Sequence, residues 1–124
     1  MLGLTKKEAI RRHRLMWNWI AQTSIQEQRC VSKREAFKHF FWRRKIQSDC
    51  WCCEYSFCEA RILEYGSARI VHPCDRCPIN WNPAMTCYAI SGLYSQFCDA
   101  YDANDYIKAA KIAYQIAELP ERND

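Results

Sequence analysis

Two Cys-x-x-Cys pairs, Cys50-Trp51-Cys52-Cys53 and Cys74-Asp75-Arg76-Cys77, stand with 20 residues between them. Each such turn brings two sulfurs within reach of one cation, and two turns supply the four thiolates that a structural zinc ion takes in tetrahedral geometry. A chain that closes this site must bring two separated segments into one knot. That limits the available folds more than any other feature of the sequence. Cys50, Cys53, Cys74 and Cys77 form the simplest ligand set on spacing, with Pro78 stiffening the second turn. Eight of the nine cysteines lie between positions 50 and 98, so the set is not unique. Cys87 is the substitute ligand, and His72 is an outside candidate. Cys52 points away if its neighbours bind metal. Cys58 and Cys98 read as small buried hydrophobes, and Cys30 sits alone near a helix end.

An odd cysteine count fits poorly with a fully paired disulfide framework. Residues 1–7 hold no apolar run long enough for a signal peptide, and no apolar stretch reaches the length that spans a membrane. The expectation is a soluble protein of a reducing bacterial cytoplasm, where clustered cysteines bind metal more often than they form disulfides. Redox chemistry by a Cys-x-x-Cys pair calls for a strand-to-helix turn in a βαβ setting, and none is visible. An all-cysteine zinc site leaves no open coordination position. With no paired carboxylates, nucleophile motif or phosphate loop, the sequence predicts a protein that is not an enzyme.

At 124 residues the chain suits one domain over 1–124, large enough to bury a real core beside the metal. Its three glycines disfavour a turn-rich all-β fold. Charge divides it. Residues 1–49 hold 12 Lys/Arg against 4 Asp/Glu, and residues 50–124 hold 6 against 10, so a basic half of net +8 precedes an acidic, zinc-holding half of net −4. A basic half of this kind points to a polyanionic partner.

Helical signals dominate. Thr5-Lys6-Lys7-Glu8 reads as a capping box, and Ala9, Ile10, Met16, Trp17, Ile20 and Ala21 share one face, interrupted by His13 and Ser24. The spacing predicts a helix over 5–28. A second box, Ser32-Lys33-Arg34-Glu35, opens a helix over 33–45. A short helix over 54–65 and a short strand over 68–71 are expected between the cysteine pairs, and an irregular segment over 78–94 follows them. The last helix is expected over 103–119, capped by Asp102 or Asn104. Its apolar face would be Tyr106, Ile107, Ala110, Ala113, Tyr114 and Ala117, with Pro120 as the stop. The predicted fold is mainly α, with helices packed around a four-cysteine zinc knuckle of treble-clef or ribbon type and little or no β.

The basic half also carries the candidate contact residues: Arg11, Arg12 and Arg14 in the first helix, and Trp42, Arg43, Arg44 and Lys45 closing the second. Aromatic and cationic side chains interleaved in this way can stack on bases and pair with phosphates. The same residues also suit a solvated helix face, or a docking surface for an acidic protein. An isoelectric point near 8.6 is modest for a dedicated nucleic-acid binder, and no standard DNA-reading module fits the spacing.

Several strings together carry a resemblance. They are Met16-Trp17-Asn18-Trp19-Ile20-Ala21, Cys50-x-x-Cys53-Glu54-Tyr55, Cys74-x-x-Cys77-Pro78-Ile79-x-Trp81, Cys87, Leu93-Tyr94, and Ile116-Ala117-Glu118-Leu119-Pro120. The set resembles small cysteine-rich proteins of phages and prophages of Gram-positive bacteria, over most of the chain. The resemblance implies a zinc-binding, phage-encoded accessory protein in which Cys50, Cys53, Cys74, Cys77 and Cys87 are the recurrent cysteines. Small phage accessory proteins often bind a host protein and block antiviral defence, so a host defence nuclease of the CRISPR-effector type is the expected target. A nucleic-acid-binding regulator using residues 11–14 and 41–45 is the alternative.

Overall fold

A computed structural model of the chain describes residues 5–40, 78–80 and 92–121. Helix α1 spans Lys6–Glu27. Thr5 caps it, its hydroxyl accepting the Glu8 N–H at 3.1 Å. The other half of the expected capping box is replaced, because the Glu8 carboxylate turns to Arg11 and Arg12 instead. At the far end Gln28 takes the left-handed conformation (φ 54°) and its N–H returns to the Ser24 carbonyl. That satisfies a carbonyl the helix end would otherwise orphan.

The buried stripe of α1 runs Ala9, Ile10, His13, Met16, Trp17, Ile20, Ala21 and Ser24. His13 and Ser24 therefore continue the stripe that they were expected to interrupt. Both are fully buried, and both have partners. Ser24 Oγ donates to the Ile20 carbonyl at 2.7 Å, and His13 Nε2 lies 3.2 Å from the Ile116 carbonyl. A carbonyl only accepts, so this contact places the ring proton on Nε2.

Helix α2 spans Lys33–His39 and opens on a complete capping box. Ser32 N–H donates to Glu35 Oε2 at 3.0 Å, and Glu35 N–H donates to Ser32 Oγ at 3.3 Å. Partial burial pushes the Glu35 carboxyl up, but the Ser32 N–H and the Arg29 guanidinium outweigh it and hold the group below its ordinary value. Residues 41–45 of the expected helix lie outside the described residues, as do the helix over 54–65 and the strand over 68–71.

Helix α3, Leu93–Asp102, begins inside the segment expected to be irregular. Leu93, Phe97 and Ala100 recur at helical spacing behind Gly92, and Phe97 and Ala100 are buried. Two residues then turn the chain: Ala103 closes α3 in the right-handed region, and Asn104 takes φ 57° in the left-handed one. Asn tolerates that conformation better than most residues. Helix α4 spans Tyr106–Ala117 and is capped by Asp105, whose Oδ1 accepts the Lys108 N–H at 3.1 Å, rather than by Asp102 or Asn104. Pro120 follows its end, as expected. There Asn80 N–H donates to the Pro120 carbonyl at 2.9 Å, and Ile79 pairs with Glu121 in an isolated antiparallel bridge.

The protein is mainly helical, with no β-strand among the described residues. Helix α4 packs against α1 and α3, and α2 packs against α1. Trp17 is the pivot. Its ring meets Phe97 edge-on at 5.0 Å and Tyr94 at 6.1 Å. The buried face of α4 is built of Ala109, Ala110, Ala113 and Ala117 with Ile112 and Ile116, mostly small residues that suit close packing against α1 and α3.

Candidate functional site

The expected zinc ligands Cys50, Cys53, Cys74 and Cys77, with Cys87, His72, Cys52 and Cys58, lie outside the described residues. Pro78 and Ile79 are fully buried, and the bridge to Glu121 fastens this segment to the chain beyond α4. Of the two described cysteines, Cys98 is half-buried rather than a core residue. Its neighbour Phe97 takes the core position. Cys30 sits in the α1–α2 connection, where burial, and then the Asp105 carboxylate, push its thiol above the ordinary value. Among the described residues no three His, Cys, Asp or Glu side chains come together to hold a metal.

The arginine run of α1 is engaged within the protein. Glu8 lies one turn before Arg11 and Arg12, so all three fall on one side of the helix. Arg11 Nε and Nη2 meet the two Glu8 oxygens at 2.8 and 2.6 Å, and Arg12 Nε meets Oε2 at 2.6 Å. The Arg11 and Arg12 guanidiniums hold the Glu8 carboxyl down from 4.5 to about 2. Arg14 points the other way, and its Nη2 donates to the Leu119 carbonyl at 3.3 Å. Residues 11–14 therefore do not present three free cations on one face. Trp42, Arg43, Arg44 and Lys45 lie outside the described residues.

A second aromatic and basic region joins α1 to α2. His39 stacks on Trp19 at 4.5 Å and 22°, and Phe40 meets both rings edge-on. Lys33 lies over the Tyr94 ring, 4.3 Å from its centre. Burial pushes the Tyr94 hydroxyl up, and Lys33 opposes the shift.

Helix α4 departs furthest from expectation. Its buried face is Ala109, Ala110, Ile112, Ala113, Ile116 and Ala117. Ile107 and Tyr114, expected in that face, are 61% and 38% exposed. Ala110, Ala113 and Ala117 are buried as expected, but the face is rotated by roughly 75°, so that Ala109, Ile112 and Ile116 replace Tyr106, Ile107 and Tyr114, an offset too small for periodicity alone to decide. One signal could have decided it. Lys108, Lys111 and Gln115 interleave with Ile107 and Tyr114, whereas the alanine stripe carries no polar neighbour on its own face. Beside Ile107, α3 and α4 border an open depression of about 490 Å³, lined by Gln96, Ile107, Lys108, Lys111, Ile112 and Gln115, with Asp105 at its end.

No family profile, curated protein or solved structure matches the chain. Among the described residues, no helix is long and apolar enough to cross a membrane.

Proposed function

We propose that this chain is a zinc-stabilised, non-enzymatic phage accessory protein that binds a host protein, with an antiviral defence nuclease of the CRISPR-effector type as the target class. Cys50, Cys53, Cys74 and Cys77, with Cys87 as substitute, hold the zinc in this reading. The metal is a scaffold that fixes the acidic half beside the helices. One contrast supports protein over nucleic acid as the partner. Arg11 and Arg12 are ion-paired with Glu8 on the surface of α1 and Arg14 donates to the Leu119 carbonyl, while Ile107 and Tyr114 face solvent with no comparable partner among the described residues. Phosphate binding needs free cations, whereas exposed large apolar side chains suit a protein surface.

The test is a pull-down from lysate of a Gram-positive host, with and without nuclease treatment. A partner that survives the nuclease is expected. Loss of every partner would replace this reading with the nucleic-acid regulator. The scaffold is tested separately, by metal analysis and chelation. About one zinc per chain is expected, and because zinc binding in small modules is worth about 10–16 kcal/mol, its removal should abolish cooperative melting. Zinc-free protein that melts like the original would remove zinc from the account.

A further inference from the structure

We infer that the outer face of α4, with the depression it shares with α3, docks an acidic amphipathic helix of the partner protein. This deepens the protein-binding reading above and rests on it. Ile107 is the most exposed of the large apolar residues described, and Tyr114 follows it after seven positions. Two turns of helix separate them by about 10.5 Å along the axis, so they form two apolar contacts on one side. Ile112, only 4% exposed, floors the depression beside Ile107.

The rim supplies the charge. Lys108 and Lys111 stand one turn apart, with side chains exposed and no ion pair among the described residues. Asp105, the single carboxylate of the lining, caps α4 by accepting the Lys108 N–H, so the lining carries two cations against one anion and stays net positive. Gln96 and Gln115 add amides. An apolar floor with a cationic and amide rim repels basic segments and favours carboxylates. The lysines lie about 4.5 Å apart along the axis, which matches two carboxylates one turn apart on a partner helix. Ile107 and Tyr114 match apolar anchors seven residues apart on the same helix, as in helix-in-groove recognition. An open depression suits such a segment better than it suits a small molecule, which usually binds where most of its surface is enclosed.

The experiment uses the full chain and a fluorescein-labelled, alanine-based helical peptide of about five turns. The peptide carries two leucines seven residues apart, flanked by glutamates one turn apart. A control peptide carries lysine in place of each glutamate. Anisotropy titrations should show the acidic peptide binding about tenfold tighter at low salt, with the margin shrinking as salt rises. Ile107→Asp should weaken it by about tenfold, and the pair K108E/K111E should reverse the preference between the peptides. Circular dichroism melts establish that each variant is folded, with Ile107→Ser as a milder substitute. Equal binding of the two peptides, or no response to the substitutions, overturns the proposal.

Two parallel readouts separate its failure from that of the broader reading. A nuclease-resistant partner retained by both folded variants leaves protein binding standing and removes this surface. No such partner for the unaltered chain removes the protein-binding reading itself. Self-association in sedimentation velocity that Ile107→Asp abolishes would make a second copy the occupant and overturn the assignment to a partner protein.

Discussion

The two faces of α4 invert the usual order of size. Four alanines and two isoleucines are buried, while Ile107 and Tyr114 remain outside with two lysines. Small residues inside suit the close packing of α4 against α1 and α3, which larger side chains would hold apart. Large apolar residues outside leave hydrophobic area that no other described residue covers. The inner face serves stability, and the outer face is the one assigned above, by proposal, to a partner. Helix α1 reinforces the inner contact with polar groups: His13 reaches the Ile116 carbonyl and Arg14 the Leu119 carbonyl, both at the end of α4 where carbonyls lack helical partners. Basic residues that looked like a nucleic-acid surface in the sequence include one that holds a helix end.

This division is open to direct attack. The largest effect is expected at Trp17, whose ring joins α1 to Phe97 and Tyr94 of α3. Trp17→Ala should cost about 3–5 kcal/mol in urea unfolding, by loss of burial and creation of a cavity. Ala113→Leu should cost about 1–3 kcal/mol by forcing α4 away from α1. The same enlargement at an exposed position should be close to neutral. If Ala113→Leu leaves the unfolding midpoint unchanged, the alanine face is not the close contact described here.

Next in size is His13. Replacing it with leucine keeps bulk in the stripe but removes the donor to the Ile116 carbonyl, at an expected cost of about 1–2 kcal/mol. The cost is moderated because Leu119 N–H also reaches that carbonyl, at 3.3 Å. Ile107→Asp, by contrast, should shift stability by no more than about 0.5 kcal/mol, as expected of an exposed position. A larger loss at Ile107 than at His13, measured in the same urea series, would break the division between the faces.

Much of this architecture is legible in the sequence because it is local. Thr5 and Ser32 announce their helices, and the stripe from Ala9 to Ala21 gives α1 nearly to its last residue. What escapes a local reading depends on tertiary context. His13 looks like an interruption until the end of α4 supplies its acceptor, 103 residues away. Helix α3 is obscured by the prolines and glycine before it, although Leu93, Phe97 and Ala100 hold its period. On α4, Ile107 and Tyr114 outrank alanine in hydrophobicity, so composition favours burying them. Close packing against α1 and α3 favours the alanine-rich face instead. The candidate site follows the same logic, since charge density in residues 11–14 says nothing of where each guanidinium turns.

The smallest expected stability effect comes from Glu8, yet it bears most directly on the partner. Its carboxyl lies below its ordinary 4.5, at about 2, because Arg11 and then Arg12 favour the charged form. A depressed carboxyl stabilises the folded state above its unfolded value and loses that contribution as pH falls through the folded value. The difference between the original chain and Glu8→Gln should therefore be flat from neutral pH down to about 4.5 and vanish by about 2. The pair is solvent-facing, so the plateau should not exceed about 0.5 kcal/mol. Glu8→Gln also releases Arg11 from its carboxylate. Affinity for a single-stranded oligonucleotide should then rise, and its dependence on log salt should steepen by about one ion. An oligonucleotide that already binds the unaltered chain with a steep salt dependence, unchanged by this substitution, would mean that the arginines contact phosphate despite Glu8. In that case the basic helix would join the proposed recognition surface, and the contrast between the α1 arginines and the exposed residues of α4 would no longer favour a protein partner.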